Sequence, residues 1–323
     1  MSDFAARARA ALAERGISLR AAAKAVPVDP GHLSRVLSGK RPPSPHIAQA
    51  LDRLVGADGA LAELAATLTD DDRGRIAHSL ANPTRLDAGT VRALADVLAA
   101  QRRLDDTLSA TAMLTPTQAQ WESVERLARD ARGPHADALH EVAAEWVQFV
   151  GWLHAEARND AEAVRWLTEA EERADDVDSG ELAAQALNFR GYLARQQGRP
   201  RAVVRWFLAA YLTPGAAPLQ RVGDGVQAAH GYALLGEHDA ARRLLGEASK
   251  LADDAADTLP PETAYWLSPT FSRMGIGLAH LALGDHAEAA TNLRAGLDGL
   301  PPEQRDAEWA EEYREALDEA EAA

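Results

Sequence analysis

Residues 28–42 read Val-Asp-Pro-Gly-His-Leu-Ser-Arg-Val-Leu-Ser-Gly-Lys-Arg-Pro, a short helix written together with its own start and stop signals. Asp29 is a good N-cap, because its carboxylate can accept from backbone N–H groups that the first turn leaves unpaired. Pro30 suits the first helical position, where a missing N–H costs nothing. Gly39 supplies the left-handed residue that ends many helices, so the helix is predicted to run from Pro30 to about Ser38. Within it Leu33, Val36 and Leu37 share one face at i, i+3, i+4 spacing and must pack inward. Gly31, His32, Arg35 and Ser38 are left facing outward.

Upstream, residues 3–15 form a helix stopped at Gly16, and Ser18 caps a second helix from Leu19 to Val26. Ala22 and Ala23 in that second helix are small enough for the next one to cross closely. Downstream, Ser44-Pro45 repeats the cap-and-proline device for a fourth helix through Val55 and Gly56, and a fifth covers Asp58 to about Leu68. Five short helices with a tight turn between the second and third make a compact module able to read DNA.

Charge is divided to match. The 323-residue chain carries a net charge of −15, yet residues 1–68 hold nine Lys/Arg against six acids, leaving +3 there and −18 on the remainder. Salt screens charges over roughly 10 Å, so a distant acidic region does not cancel a local basic face. Only the N-terminal part is expected to meet a polyanion.

Gly16-Ile17-Ser18 to Ala23, followed by Leu33-Ser34-Arg35-Val36 and Gly39-Lys40-Arg41-Pro42, resembles the phage-repressor-like (Cro/C1, or XRE) helix-turn-helix family over roughly residues 4–68. The resemblance places Leu19, Pro30, Gly31, His32 and Arg35 at base edges, and Ser18, Lys40 and Arg41 on phosphates. Arg20 and Ser34 complete the candidate DNA-binding set. An arginine at such a position can contact guanine bidentately, and residues just past the helix end set register on the backbone. The chain departs from the family at Pro27, where glycine is usual, and at Leu19, where a polar residue often sits. Proline cannot take a positive φ, so the turn must be rebuilt.

Residues 69–115 read as a linker and connecting helix: the run Asp70-Asp71-Asp72, Asn82-Pro83 and weak periodicity suggest a hinge to residue 87, and helix returns from Thr90 to Ser109. From residue 116 to 323 a degenerate repeat sets the architecture. Segments 146–170, 187–210, 226–248 and 271–296 align, with small residues at Gly151, Gly191, Ala229 and Gly277, and turn glycines seven on at Gly198, Gly236 and Gly284. Thr117–Arg132 reads as half of a more eroded pair. The pattern resembles the tetratricopeptide repeat at longer intervals of 40, 38 and 48 residues, and Glu303 to Ala323 reads as a capping helix. The expected fold is therefore all-α, a five-helix helix-turn-helix domain (1–68) followed by a TPR-like α-solenoid.

Stacked helix pairs leave a concave groove lined by the first helix of each pair. Repeat position puts Gln148, Trp152, Gln185, Asn188, Tyr192, Arg195, His230 and Phe271 in it as candidate effector contacts, with Glu145 and Met274 beside them. The stripe Gln185, Asn188, Tyr192, Arg195 can hold an extended peptide, or be an ordinary wet helix face. Trp166, Trp206 and Trp266 read as packing between repeats.

The order of parts resembles large actinobacterial regulators and peptide-sensing regulators of Gram-positive bacteria, which implies transcriptional control by an effector. The expected partners are double-stranded DNA, a second copy of the chain, and a peptide, small-molecule or protein effector. The alternatives are an interaction scaffold whose helix-turn-helix only docks to protein, and an antitoxin-like repressor. The chain has no cysteine, so thiol chemistry and disulfides are excluded. No HExxH, GxSxG or phosphate-loop signature occurs; Gly275-Ile-Gly277 and Gly223-Asp-Gly225 lack the strand and third glycine of one. No catalytic residue, metal or cofactor is expected. No run approaches the ~18 apolar residues of a membrane span, and the chain reads as cytoplasmic.

Overall fold

The computed structural model describes residues 3–26, 28, 30–38, 43, 45–57, 70–82, 85–106, 108–255, 258, 264, 266–300, 304–305 and 307–323. Among these it is all-α, with sixteen α-helices and no strand. Two compact units are present, one comprising Met1–Ala77 and Ala95–Ala100, the other His78–Leu94 and Gln101–Ala323.

In the first unit the helices are α1 (Asp3–Glu14), α2 (Leu19–Ala25), α3 (Pro30–Leu37) and α4 (Pro45–Val55). The Ser18 hydroxyl caps α2 by accepting from the Ala21 N–H at 3.2 Å, and Gly16 before it has φ +64°. α2 ends at Ala25 with Val26, the residue before a proline, as its C-cap. Phe4, Leu12, Val26, Leu33, Val36, Ile47, Leu51 and Val55 form one buried core. Ala22 and Ala23, both buried, are what allow α3 to cross α2 closely. The fifth helix expected at 58–68 lies outside the described residues, as do Pro27, Asp29, Gly39, Lys40 and Arg41.

Asp70–Ala81, in the stretch read as a hinge, is a helix, α5; acidic residues suit the positive end of a helix dipole. α6 then spans Ala88–Asp105, two residues earlier than expected, because Asp87 caps it through the Thr90 N–H at 2.7 Å. Ser109 belongs to the next helix, capping α7 (Ala110–Asp130), which absorbs Pro116 and is longer than the fragment read from the repeat.

Four antiparallel pairs follow: α8 (Ala136–Glu156) with α9 (Asp160–Asp176), α10 (Gly180–Gln196) with α11 (Pro200–Leu212), α12 (Pro218–Leu234) with α13 (His238–Asp254), and α14 (Pro269–Ala282) with α15 (His286–Asp298). Helices α8 to α13 pack in chain order, α14 packs on α15, and the first helices α8, α10, α12 and α14 also stack on one another, so the pairs build a solenoid. The small residues mark the crossings. A Cβ on Gly151 would lie 2.7 Å from Leu167, on Gly191 2.7 Å from the Phe207 ring, and on Gly277 2.5 Å from Leu293. Gly198, Gly236 and Gly284 turn between helices with φ of +61°, +76° and +78°; Arg158 does the same in the first pair at φ +59°.

The terminal helix α16 (Glu311–Ala322) begins later than Glu303, after a 3-10 turn at Glu308–Ala310. It shares a buried core with α14 and α15 through Met274, Leu278, Leu293, Tyr313, Ala316 and Ala320. Met274 is thus a core residue between paired helices rather than a groove residue.

Candidate nucleic-acid interface and candidate ligand cavity

α3 is amphipathic over its whole length. Leu33, Val36 and Leu37 are buried, while Pro30, Gly31, Ser34 and Arg35 are exposed and His32 is half-buried. Ser38 closes the helix by donating to the Arg35 carbonyl at 3.0 Å. At the start of α2, Ser18, Leu19 and Arg20 are all exposed. Leu19, a large apolar side chain, is 38% exposed there. The fold therefore offers a polar strip on a short, rigid helix, with the exposed end of α2 in the same four-helix bundle. Such a strip can contact base edges and phosphates. Residues 3–65 match the family model of a helix-turn-helix domain. No curated protein matches the chain.

The second site lies in the other unit. Seven of the eight sequence-derived groove residues line one cavity: Gln148, Trp152, Gln185, Asn188, Tyr192, Arg195 and Phe271. His230 does not line it. It is buried behind the wall, its Nδ1 without a hydrogen-bond partner, and burial, with the Arg195 charge adding, pushes its pKa down to about 3.

The stripe on α10 is not a wet face. Asn188 donates to the buried Asp224 carboxylate at 2.6 Å, and Gln185 accepts from Gln220 at 3.2 Å. Gln148 donates to the Leu182 carbonyl at 3.0 Å. These bonds tie neighbouring first helices together, so the polar residues hold the solenoid's curvature as well as lining its hollow. Burial pushes the Asp224 carboxyl up to about 8, against the opposing pull of Asn188.

Arg195 is the hub. Its guanidinium donates to Gln227, to Glu312 and to the Tyr313 hydroxyl, the last at 3.4 Å. Burial works against its charge, but Glu312, Tyr313 and Tyr192 outweigh that and its pKa is raised. Gln196 also donates to Glu312, at 3.1 Å. The terminal helix therefore reaches onto the concave side as well as covering the last pair, a dual role the repeat pattern did not signal.

Sequence reasoning missed more of the wall. α6 and its C-cap contribute Arg102, Asp105 and Asp106: Arg102 pairs with Glu145 at 2.9 Å, and Asp105 accepts from the Trp152 indole N–H at 2.7 Å. Trp266, expected to pack between repeats, lines the cavity and stacks on Phe189 at 6.2 Å. By contrast Trp166 is buried against Trp121 at 6.3 Å, and Trp206 lies under Arg190 at 3.7 Å, both in packing roles. Residues from α6, the loop before α14 and α16 lie outside the aligned segments, so no repeat position pointed to them.

Proposed function

We propose that the chain is a sequence-specific, DNA-binding transcriptional regulator that acts as a homodimer and answers to an effector held in its solenoid. The observation that carries this reading is the strip of α3 formed by exposed Gly31, Ser34 and Arg35 with half-buried His32, set opposite three buried residues within a matched helix-turn-helix domain. In this reading α3 enters the major groove, with Arg35 bidentate to guanine and His32 beside it. Ser18 and the exposed end of α2 meet the backbone, and Lys40 and Arg41, which follow α3 in sequence, grip the adjacent strand.

The acidic repeat region, TPR-like in its small-residue crossings and turn glycines, would house dimerisation and effector control. An effector changes operator affinity only as far as it binds one arrangement of the protein better than another. The localisation that goes with this function is the cytoplasm; no helix among the described residues is long and apolar enough to cross a membrane.

A mobility-shift assay tests the proposal, using the full chain and DNA from upstream of its own gene. A shift that resists random competitor DNA and disappears when residues 1–68 are removed is expected. No sequence-selective shift even at low salt would contradict it, and would favour a protein-docking scaffold.

A further inference from the structure

Aromatic residues are scarce in this chain, at 7 Trp, 5 Tyr and 5 Phe, yet nine of them line the single cavity described above. On one wall Trp152 lies 4.9 Å from Phe189 and 4.8 Å from Tyr192; on another Phe271 lies 5.7 Å from Trp309. Walls of this kind favour a flat ring, which can stack or meet them edge to face. The cavity volume is about 110 Å³. That is the order of the ~150 Å³ hollow that admits one benzene ring.

The polar groups narrow the chemistry further. The Arg195 side chain is only 8% exposed, and its terminal nitrogens donate to Gln227 and Glu312. The guanidinium charge itself is already met by Glu312, and that of Arg102 by Glu145. Asp105 and Asp106 add two carboxylates to the same wall. An anionic ligand would bring a further negative charge to a site rich in carboxylates, whereas a neutral ring would not.

We infer that the cavity recognises a compact, uncharged aromatic molecule, its ring held between the aromatic walls. This deepens the proposal that the solenoid holds an effector, and rests on it. Peptides ending in a carboxylate, nucleotides and acyl phosphates are rejected by the same site.

The test is a ligand-observed NMR titration of the full chain, without DNA, with acetophenone, benzoate and ethylbenzene as probes. Acetophenone and ethylbenzene are expected to bind saturably, each at least tenfold more tightly than benzoate. Gly223→Leu leaves the Arg195 network intact. A Cβ there meets nothing nearer than Leu267 at 3.5 Å, so the variant should fold and fill the cavity, abolishing binding of every ring. Benzoate binding as tightly as acetophenone, saturable binding of no probe, or binding unchanged in Gly223→Leu would overturn the inference. With no DNA present, any of these results leaves the reading of α3 standing, and a failed DNA shift leaves this one standing.

Discussion

Arg195 on α10 and Glu312 on α16 are ion-paired across 117 positions of sequence, with side chains 8% and 23% exposed. The pair joins the second helix pair to the terminal helix, so the end of the chain helps to hold the middle of the solenoid. Removing one partner strands a buried charge. Glu312→Gln is expected to destabilise the repeat unit by about 3 kcal/mol, whereas Arg195→Met with Glu312→Leu should cost much less. Urea unfolding followed by tryptophan fluorescence measures both, and equal losses from the single and double changes would refute the pairing as a stabilising unit.

Two buried groups give the solenoid opposed pH responses. Asp224 is pushed up to about 8 from 3.8 by burial, so the stability it supports is complete below pH 4 and is lost as pH rises to 8. His230 is pushed down to about 3 from 6.5, so its contribution is complete above pH 6.5 and is lost as pH falls. Between pH 4 and 6.5 the two slopes, each about 1.4 kcal/mol per unit, offset one another. Asp224→Asn keeps an acceptor for Asn188 and removes one slope. It should be more stable than the native chain at pH 8 and should lose stability below pH 6.5, where the native chain changes little. Thermal melts across pH 4–8 would show this, and a variant no more stable at pH 8 would count against the buried carboxyl.

The crossings make a third prediction. Gly191→Ala places a Cβ 2.7 Å from the Phe207 ring, with no flexible chain end to yield, and should cost about 1–3 kcal/mol. Arg158→Gly replaces a non-glycine residue held at φ +59° in the turn of the first pair. It should be neutral or stabilising by up to about 1 kcal/mol, since relief of strain is offset by glycine's entropy in the unfolded chain. A calorimetric scan separates the two, and stabilisation by Gly191→Ala would contradict the close crossing.

The helix-turn-helix was legible because its signals are local. Ser18, Pro30 and the spacing of Leu33, Val36 and Leu37 each fix one feature by short-range chemistry, and α2 and α3 fall within one residue of their expected ends. The repeat register was legible for a different reason. Close crossings admit only small residues, so Gly151, Gly191 and Gly277 had to recur where helices touch. The cavity was half legible. Positions on α8 and α10 followed from the register, but Asp105, Trp266 and Glu312 reach the site by tertiary packing that no period encodes. Asp70–Ala81 misled because consecutive aspartates look like a loop when read by composition, and like a favourable first turn when read by dipole.

Within α3, Arg35 and Ser34 are exposed and adjacent, but only arginine offers the fork that matches guanine. Arg35→Ala is expected to cost about 1–3 kcal/mol of operator affinity and to relax the preference at one base position. Lys40→Ala should weaken all DNA alike and flatten the salt dependence. Fluorescence anisotropy on operator and scrambled duplexes at two salt concentrations distinguishes the effects, and equal retention of both duplexes by Arg35→Ala would refute its assignment.

Repeated selection of bound duplexes from a random DNA pool by the full chain tests most directly whether α3 reads bases. The expected result is a two-fold symmetric consensus whose half-sites lie about one helical turn, ~10 base pairs, or a multiple apart, with one position per half-site lost in Arg35→Ala. A pool that emerges from selection with its sequence composition unchanged would contradict it.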